Sequence, residues 1–363
     1  MSRERRRRGD GGGAMTSHGQ SRCRLADRAH KLRRVSLLFG DQSGVVAVIV
    51  ALLFVVFLGI AAFAIDIGHL MVVRNQLQND ADAAALAGAS YLIPQIPSAS
   101  PSPPDWTTAF SQAYTAISLN SSDGVVLTNG TVQTGYWNLA QNPAGLQGMG
   151  ITPGQLDCPA VQVTVTRSFG QNGGPVRFWF APILGINTSN ISATATAAIT
   201  GPGAALPGAL MPIAISSAMA AQAGAYNSPA TTFMIGTGYG YPMQAGQWTS
   251  FLNDASDVAT MTNLLTAGNP ASLNIGSNIW IEPAVGVAVY NYVPVGVNVL
   301  LPVVGNVMTH AQSPIVGFIG FHITASVGSS QYIQGYFLTD FYARNTNGAG
   351  PNYGAYAPAT LVK

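Results

Sequence analysis

The sequence predicts an α+β protein: a long N-terminal transmembrane helix, an exported α+β module, and a C-terminal mainly-β sandwich or barrel domain. Three observations carry this. Gly44 to Ile65 (GVVAVIVALLFVVFLGIAAFAI) contains no charged residue, apolar and small residues then recur at helical spacing as far as Leu92, and beyond that short apolar runs alternate with Gly, Pro and Asn turns.

The first element is the most constrained. At about 1.5 Å per residue, the run spans roughly 33 Å, enough for a hydrocarbon core of about 30 Å. Fifteen of its 22 residues are Val, Ile, Leu or Phe. At roughly −0.3 to −0.6 kcal/mol each, insertion into lipid is favoured by several kcal/mol. A buried helix of a soluble core rarely needs so long a run without one polar face. Residues 1–41 hold eleven Arg or Lys against four acids, whereas the chain from Asp66 onward has five basic and ten acidic residues. Basic residues near an apolar span stay on the cytoplasmic side. The expected topology is therefore a basic, disordered cytoplasmic tail over 1–40 and an exported C-terminal region. The Arg5–Arg8 run reads as part of that topogenic tail, with a nucleic-acid patch as the weaker alternative. Ala62-Phe63-Ala64 matches a signal-peptidase pattern, and a prepilin-type cut after Gly44 is the other processing route. The run is longer than a signal h-region, and Ile49 stands where a prepilin usually has Glu, so an uncleaved anchor is expected.

The helix is expected to continue past the membrane. Leu70, Met71, Leu77, Ala81, Ala84, Ala85 and Gly88 share one helical face, and no proline intervenes before Pro94. Ala81, Ala85 and Ala89 form a small-xxx-small ridge that admits either a partner helix or the chain's own domain. A Pro/Ser breaker follows, Pro94–Pro104, and then Asp105 caps a short helix from Trp106 to Leu119 with Phe110, Tyr114 and Ile117 on one side. Strands are expected at Val125–Trp137 (a hairpin turning at Asn129-Gly130), Val161–Phe169 and Ile191–Thr200, with Val176–Leu184 covering the sheet. These make one module over 93–200, after the helical region 41–92. Gly201 to Gly208 reads as a linker, 201–209, before a mainly-β domain over 210–363. Strands are expected there at Leu210–Ile215, Thr232–Ile235, Ser277–Ile281, Val285–Tyr290, Val297–Leu301, Ile315–Ala325 and Tyr332–Phe341, with one helix over Asp257–Leu265. Cys23 and Cys158 fall on opposite sides of the membrane in this topology and cannot pair.

The segment DIGHLMVVRNQLQNDADAAALAGASYL, after the apolar run, resembles the N-terminal region of TadG-like proteins of the Tad (tight adherence) system, which assembles Flp-type pili in bacteria. Asp66, Gly68, Arg74, Leu77, Gln78, Asp82 and the Ala81–Ala89 run carry the resemblance, over roughly Gly40 to Leu92. Stretches near the C-terminus (NPASLNIGSNIWIEP, SPIVGFIGFHITASVG) also resemble TadG-like chains. The resemblance implies a pilin-like exported module and a structural component of Flp pilus assembly or cell-surface adherence in the bacterial cytoplasmic membrane. Its implied partners are membrane lipid, other Tad/Flp components or pilin-like helices, and further copies of itself. Ala81, Ala85 and Ala89, with Leu77 and Gly88, would pack helices; Asp66, Asp80 and Asp82 would supply polar contacts. Asp254-Ala255-Ser256-Asp257-Val258 departs from the Asp-x-Ser-x-Ser metal site of von Willebrand A domains, so no metal is implied.

No residues are spaced for catalysis or cofactor binding. His69, His310 and His322 lack metal-ligand spacing, Gly236–Gly240 has no following Lys, and Glu282 with Asp340 is a weak carboxylate pair. The alternative to a pilus component is a membrane-tethered glycan- or surface-binding module, with Tyr239, Tyr241, Trp248, Tyr290 and Tyr292 as the aromatic patch.

Overall fold

A computed structural model describes residues 43–93, 104–236 and 246–362. The basic tail, the Pro/Ser breaker, and Tyr239 and Tyr241 with most of the Gly236–Gly240 run lie outside the described residues. The chain divides into two compact units, one of residues up to Ile67 together with Trp179–Ile183, the other of Gly68–Phe178 and Leu184 onward.

One α-helix, α1, runs from Ser43 to Ala89. It ends where Ser90 turns its hydroxyl back onto the Ala87 carbonyl (2.8 Å). The second helix, α2, covers Trp106–Ile117, and Asp105 accepts the Thr108 N–H at 3.0 Å. That is the N-cap that the sequence announced. The orientation of α2 differs from expectation. Ala109, Ala113 and Ile117 are buried, while Phe110 and Tyr114 stack on each other outside. Small alanines let the helix approach the sheet closely, and the rings are left to the flank.

The first sheet has five antiparallel strands in the order Thr360–Val362, Ile191–Ala198, Asp157–Arg167, Thr131–Asn138, Leu146–Gln147. Alternation along Asp157–Arg167 works as period two requires. Val161, Val163 and Val165 are fully buried. On the other face Gln162 donates to the Thr196 hydroxyl and Thr164 bonds Thr194. Asn129-Gly130 is not a hairpin turn. Val125–Val126 pairs instead with Ser121–Ser122, and the Asn172 side chain accepts the N–H groups of Thr128 and Asn129.

The second sheet closes on itself. Ala311–Val327, Asn278–Glu282, Gly246–Phe251, Ile213–Ser216 and Asn298–Val304 pair in that order, and Asn298–Val304 pairs back onto Ala311–Val327. Of the two expected architectures, sandwich or barrel, this is the barrel. Tyr332–Leu338 pairs along the same 17-residue strand, and Phe233–Gly236 pairs in turn with Tyr332–Leu338 at the sheet's edge. Phe233, Phe251, Phe318, Phe321 and Phe337 fill the core. Asp257 caps the helix Val258–Ala267 through the Thr260 N–H.

Two further expectations are corrected. Val285–Tyr290 supplies no strand; Val287–Tyr292 is a 3-10 helix. Gly201–Ala205, read as linker, is a strand between Leu273–Asn274 and Thr346–Gly350. A run of Gly, Pro and Ala looks like linker because its small side chains show no polar/apolar alternation to reveal the pairing, yet the same smallness lets two neighbouring strands close on it.

Candidate functional site

The transmembrane, helix-packing and motif residues singled out by the sequence all lie on α1, and they divide into three groups. From Val45 to Ile65 the large apolar side chains are exposed on every side of the helix, between 46% and 66%. Among the described residues, α1 is the one helix long and apolar enough to cross a membrane, and none of its most apolar stretch is buried. A soluble helix buries one stripe. A bare apolar cylinder needs lipid or other apolar helices around it.

The second group begins at Asp66, only 2% exposed. Its carboxylate accepts the backbone N–H groups of Trp179 (2.8 Å), Phe180 (3.0 and 3.3 Å) and Ala181 (2.6 Å). Three converging amides are what a sheltered carboxylate requires in place of water. Sequence reasoning gave Asp66 a polar contact but missed this partner. The segment Val176–Leu184, expected to cover the sheet, instead leaves Trp179, Ile183 and Leu184 exposed.

The third group packs. Leu77, Ala81, Ala84, Ala85 and Ala89 are fully buried, in one core with Ala109, Ala113 and Ile117 of α2 and Val161, Val163 and Val165 of the sheet. Of the two uses open to the alanine ridge, the chain's own module takes it. Gly88 is part of the same contact. A Cβ there would stand 2.7 Å from both the Ala109 carbonyl oxygen and the Ala113 Cβ. Gln78 donates to Asp82 (2.8 Å) and to the Thr194 carbonyl (3.2 Å), fastening the helix to the sheet. Gly68 and Arg74 are exposed, and open space surrounds the Gly68 Cα.

One buried acid and one charged cluster have surroundings that the sequence did not reveal. Asp80 is buried, and neither of its oxygens has a well-formed hydrogen bond. Burial pushes its carboxyl up to about 6, with the Asn120 side chain pulling weakly the other way. Arg167, also buried, donates to the carbonyls of Gly174 and Ser122 and to Asp123 (3.2 Å), and Asp123 meets His69 at 3.0 Å. Burial raises the Asp123 carboxyl, but the His69 and Arg167 contacts outweigh it and the net shift is downward. The signal for Arg167 was available: it is the one cation in a run of alternating Val and Thr.

The remaining candidates are structural. Glu282 is buried under the Ser250 hydroxyl and the Ala255 N–H. Trp248 and Tyr290 are core residues joined edge to face, the indole donating to the phenol at 3.2 Å. Of the described aromatics proposed as a sugar-binding patch, only Tyr292 is exposed. Cys158 is fully buried, and its thiol is pushed up to about 12, chiefly by burial. No cluster of three His, Cys, Asp or Glu side chains fit for a metal occurs among the described residues.

A bare apolar helix that becomes the spine of an α+β head defines a class: a head domain grown directly on a membrane-type helix. The comparisons with known families agree. The Flp pilus-assembly TadE/G-like family matches residues 44–90, and the Tad-like Flp pilus-assembly family matches residues 78–197. Residues 44–197 thus carry both Tad-type regions, and the resemblance to TadG-like proteins holds over them. The matches support a pilus-assembly role, interaction with other pilus-assembly components, and a structural part in that process. No curated protein and no solved structure matches the chain.

Proposed function

We propose that this chain is a single-pass, membrane-anchored structural component of Flp/Tad pilus assembly, with its N-terminus in the cytoplasm and the region after Asp66 exported. The observation that carries the reading is the change of character along α1: bare and apolar on all sides over Gly44–Ile65, then sealed by one face into the head from Val73 to Ala89. The TadE/G-like match covers that same stretch. In this reading the protein is not an enzyme, and its partners are membrane lipid and other Tad components. Because the alanine ridge is occupied internally, lateral association belongs to Gly44–Ile65, and self-association would use the same surface.

The test is made in cells that produce Flp pili. Deletion of the gene removes surface pilin, and complementation with a doubly tagged chain restores it. Protease added to spheroplasts degrades the C-terminal tag and spares the N-terminal one, both tags fractionating with the inner membrane. Normal piliation without the gene, or a full-length chain in the cytosolic fraction, would refute the proposal.

A further inference from the structure

We propose that Trp179–Ile183 is a second membrane contact: a short apolar segment seated in the headgroup–acyl boundary of the leaflet from which α1 emerges. The proposal rests on the anchored reading above and extends it to a part of the chain over a hundred residues further on.

Four observations lead to it. Asp66 is the first charged residue after 24 uncharged ones, so its carboxylate marks the level at which the helix leaves hydrocarbon. The N–H groups of Trp179, Phe180 and Ala181 all donate to that carboxylate, at 2.6 to 3.3 Å, which fixes their backbone at the same level. Trp179 is nevertheless 67% exposed and Ile183 85% exposed, with Phe180 also on the surface. Finally, the one charge in the arrangement is solvated locally by backbone N–H groups. Asp66 has amides in place of water, so settling at an interface leaves no carboxylate bare.

The chemistry of the segment (Trp-Phe-Ala-Pro-Ile) selects the occupant. Trp is enriched at membrane–water boundaries, where an apolar ring and one N–H donor suit both phases. Apolar side chains sunk a few ångströms into the headgroup region are the ordinary means of interfacial attachment. A protein partner would equally cover an apolar surface, but would not have to lie at the depth of the first charge after the span. Asp66 therefore acts as a positioning residue that sets the depth of the segment.

The test uses the full chain reconstituted in liposomes of phosphatidylethanolamine and phosphatidylglycerol. Cys23→Ser with Ile183→Cys gives one labelling site, since the native Cys158 thiol is buried and held protonated up to about 12. An environment-sensitive dye at position 183 is expected to lose about half its emission to lipids bearing a nitroxide just below the headgroup, and to be shielded from aqueous iodide. Asp66→Leu, which removes the acceptor and keeps the helix, is expected to release the dye to iodide. As a second measurement free of labelling, the emission of a Trp179→Phe variant is compared with that of the parent. The parent is expected to show a component quenched by the shallow nitroxide that this variant lacks. Flotation separates the two levels of failure. A chain that does not float with the liposomes overturns both the anchor and the segment's role. A chain that floats while its position-183 dye is open to iodide and blind to nitroxide overturns only the segment.

Discussion

Replacing Asp80 by Asn should stabilise the head at neutral pH and leave it unchanged in acid. Asp80 lies on the packed face of α1, 2% exposed, and its carboxyl is raised from 3.8 to about 6, mainly by burial. The sign follows from proton linkage. Between those two values the folded protein holds a proton that the unfolded chain has released, so stability falls as pH rises. The penalty is absent below the unfolded value and complete above about 6. A shift of about two units at 1.36 kcal/mol each makes it roughly 3 kcal/mol. Asn has the same shape and no charge at any pH. It leaves a buried polar group about as poorly satisfied as the neutral acid does, so the acidic-pH comparison cancels that cost.

The assay is thermal unfolding of the purified chain in detergent, followed by near-ultraviolet circular dichroism from pH 4 to pH 8. For a unit of this size, 3 kcal/mol corresponds to a rise in Tm of roughly 6–12 °C at pH 7. The parent should be more stable at pH 4.5 than at pH 7 as far as this residue is concerned, and the variant should lose that slope. A variant whose Tm differs from the parent by the same amount at every pH, or one less stable at pH 7, would refute the reasoning. Either result would mean that the folded protein solvates the ionised Asp80 better than its geometry indicates.

Three further outcomes are expected. Gly88→Ala gains about 1 kcal/mol in helix propensity but thrusts a methyl to 2.7 Å from a carbonyl oxygen and from Ala113, so thermal melts should show a net loss of about 1–2 kcal/mol. Asn172→Ala removes a side chain that accepts from Thr128 and Asn129 and donates to the Asn129 and Thr166 carbonyls from a backbone at φ 48°. A loss of about 2–4 kcal/mol should follow, with faster proteolysis near residue 129. Asp123→Asn should destabilise at neutral pH, because the lowered carboxyl pKa favours the folded state above the unfolded value. The difference from the parent should shrink as acid protonates Asp123 through its lowered folded value, read from paired melting curves.

The sequence made legible what is written in local spacing. The apolar helix, the Asp105 and Asp257 caps, and the alternation of Val161, Val163 and Val165 each depend on residues within one or two turns or pleats of each other. The barrel was legible as a class because short strands with turn residues announce closure or sandwiching. What was hidden is long-range. Asp66 meets amides 113 to 115 residues away, and Thr360–Val362 completes a sheet begun at Thr131. No pattern in either partner alone names the other. Asn129-Gly130 misled because a turn dipeptide has two outcomes, and the Asn172 amide decides between them. Val176–Leu184 misled for a related reason. An apolar run is evidence of an apolar neighbour, but it does not say whether that neighbour is protein or lipid.

The burial of the alanine ridge changes what mutations on α1 can report. Small residues at four-residue spacing permit close approach by any helix. Here the approach has been made by α2 and the sheet, with Ala81, Ala85 and Ala89 at zero exposure. A bulky residue at Ala85 would abolish piliation through collapse of the head, an outcome indistinguishable from a lost assembly contact if piliation alone were scored. The two causes separate once head stability is measured beside piliation. Ala85→Leu should lower the melting temperature and the cellular level of the chain together with the pili. Val55→Asn, on the bare part of the helix, should leave the head's melting behaviour intact, so any loss of pili there reports a contact within the bilayer. If Ala85→Leu instead kept a fully stable head while eliminating pili, the ridge would have to leave its own core to meet a partner, and the internal packing described for it would be the wrong basis for its function.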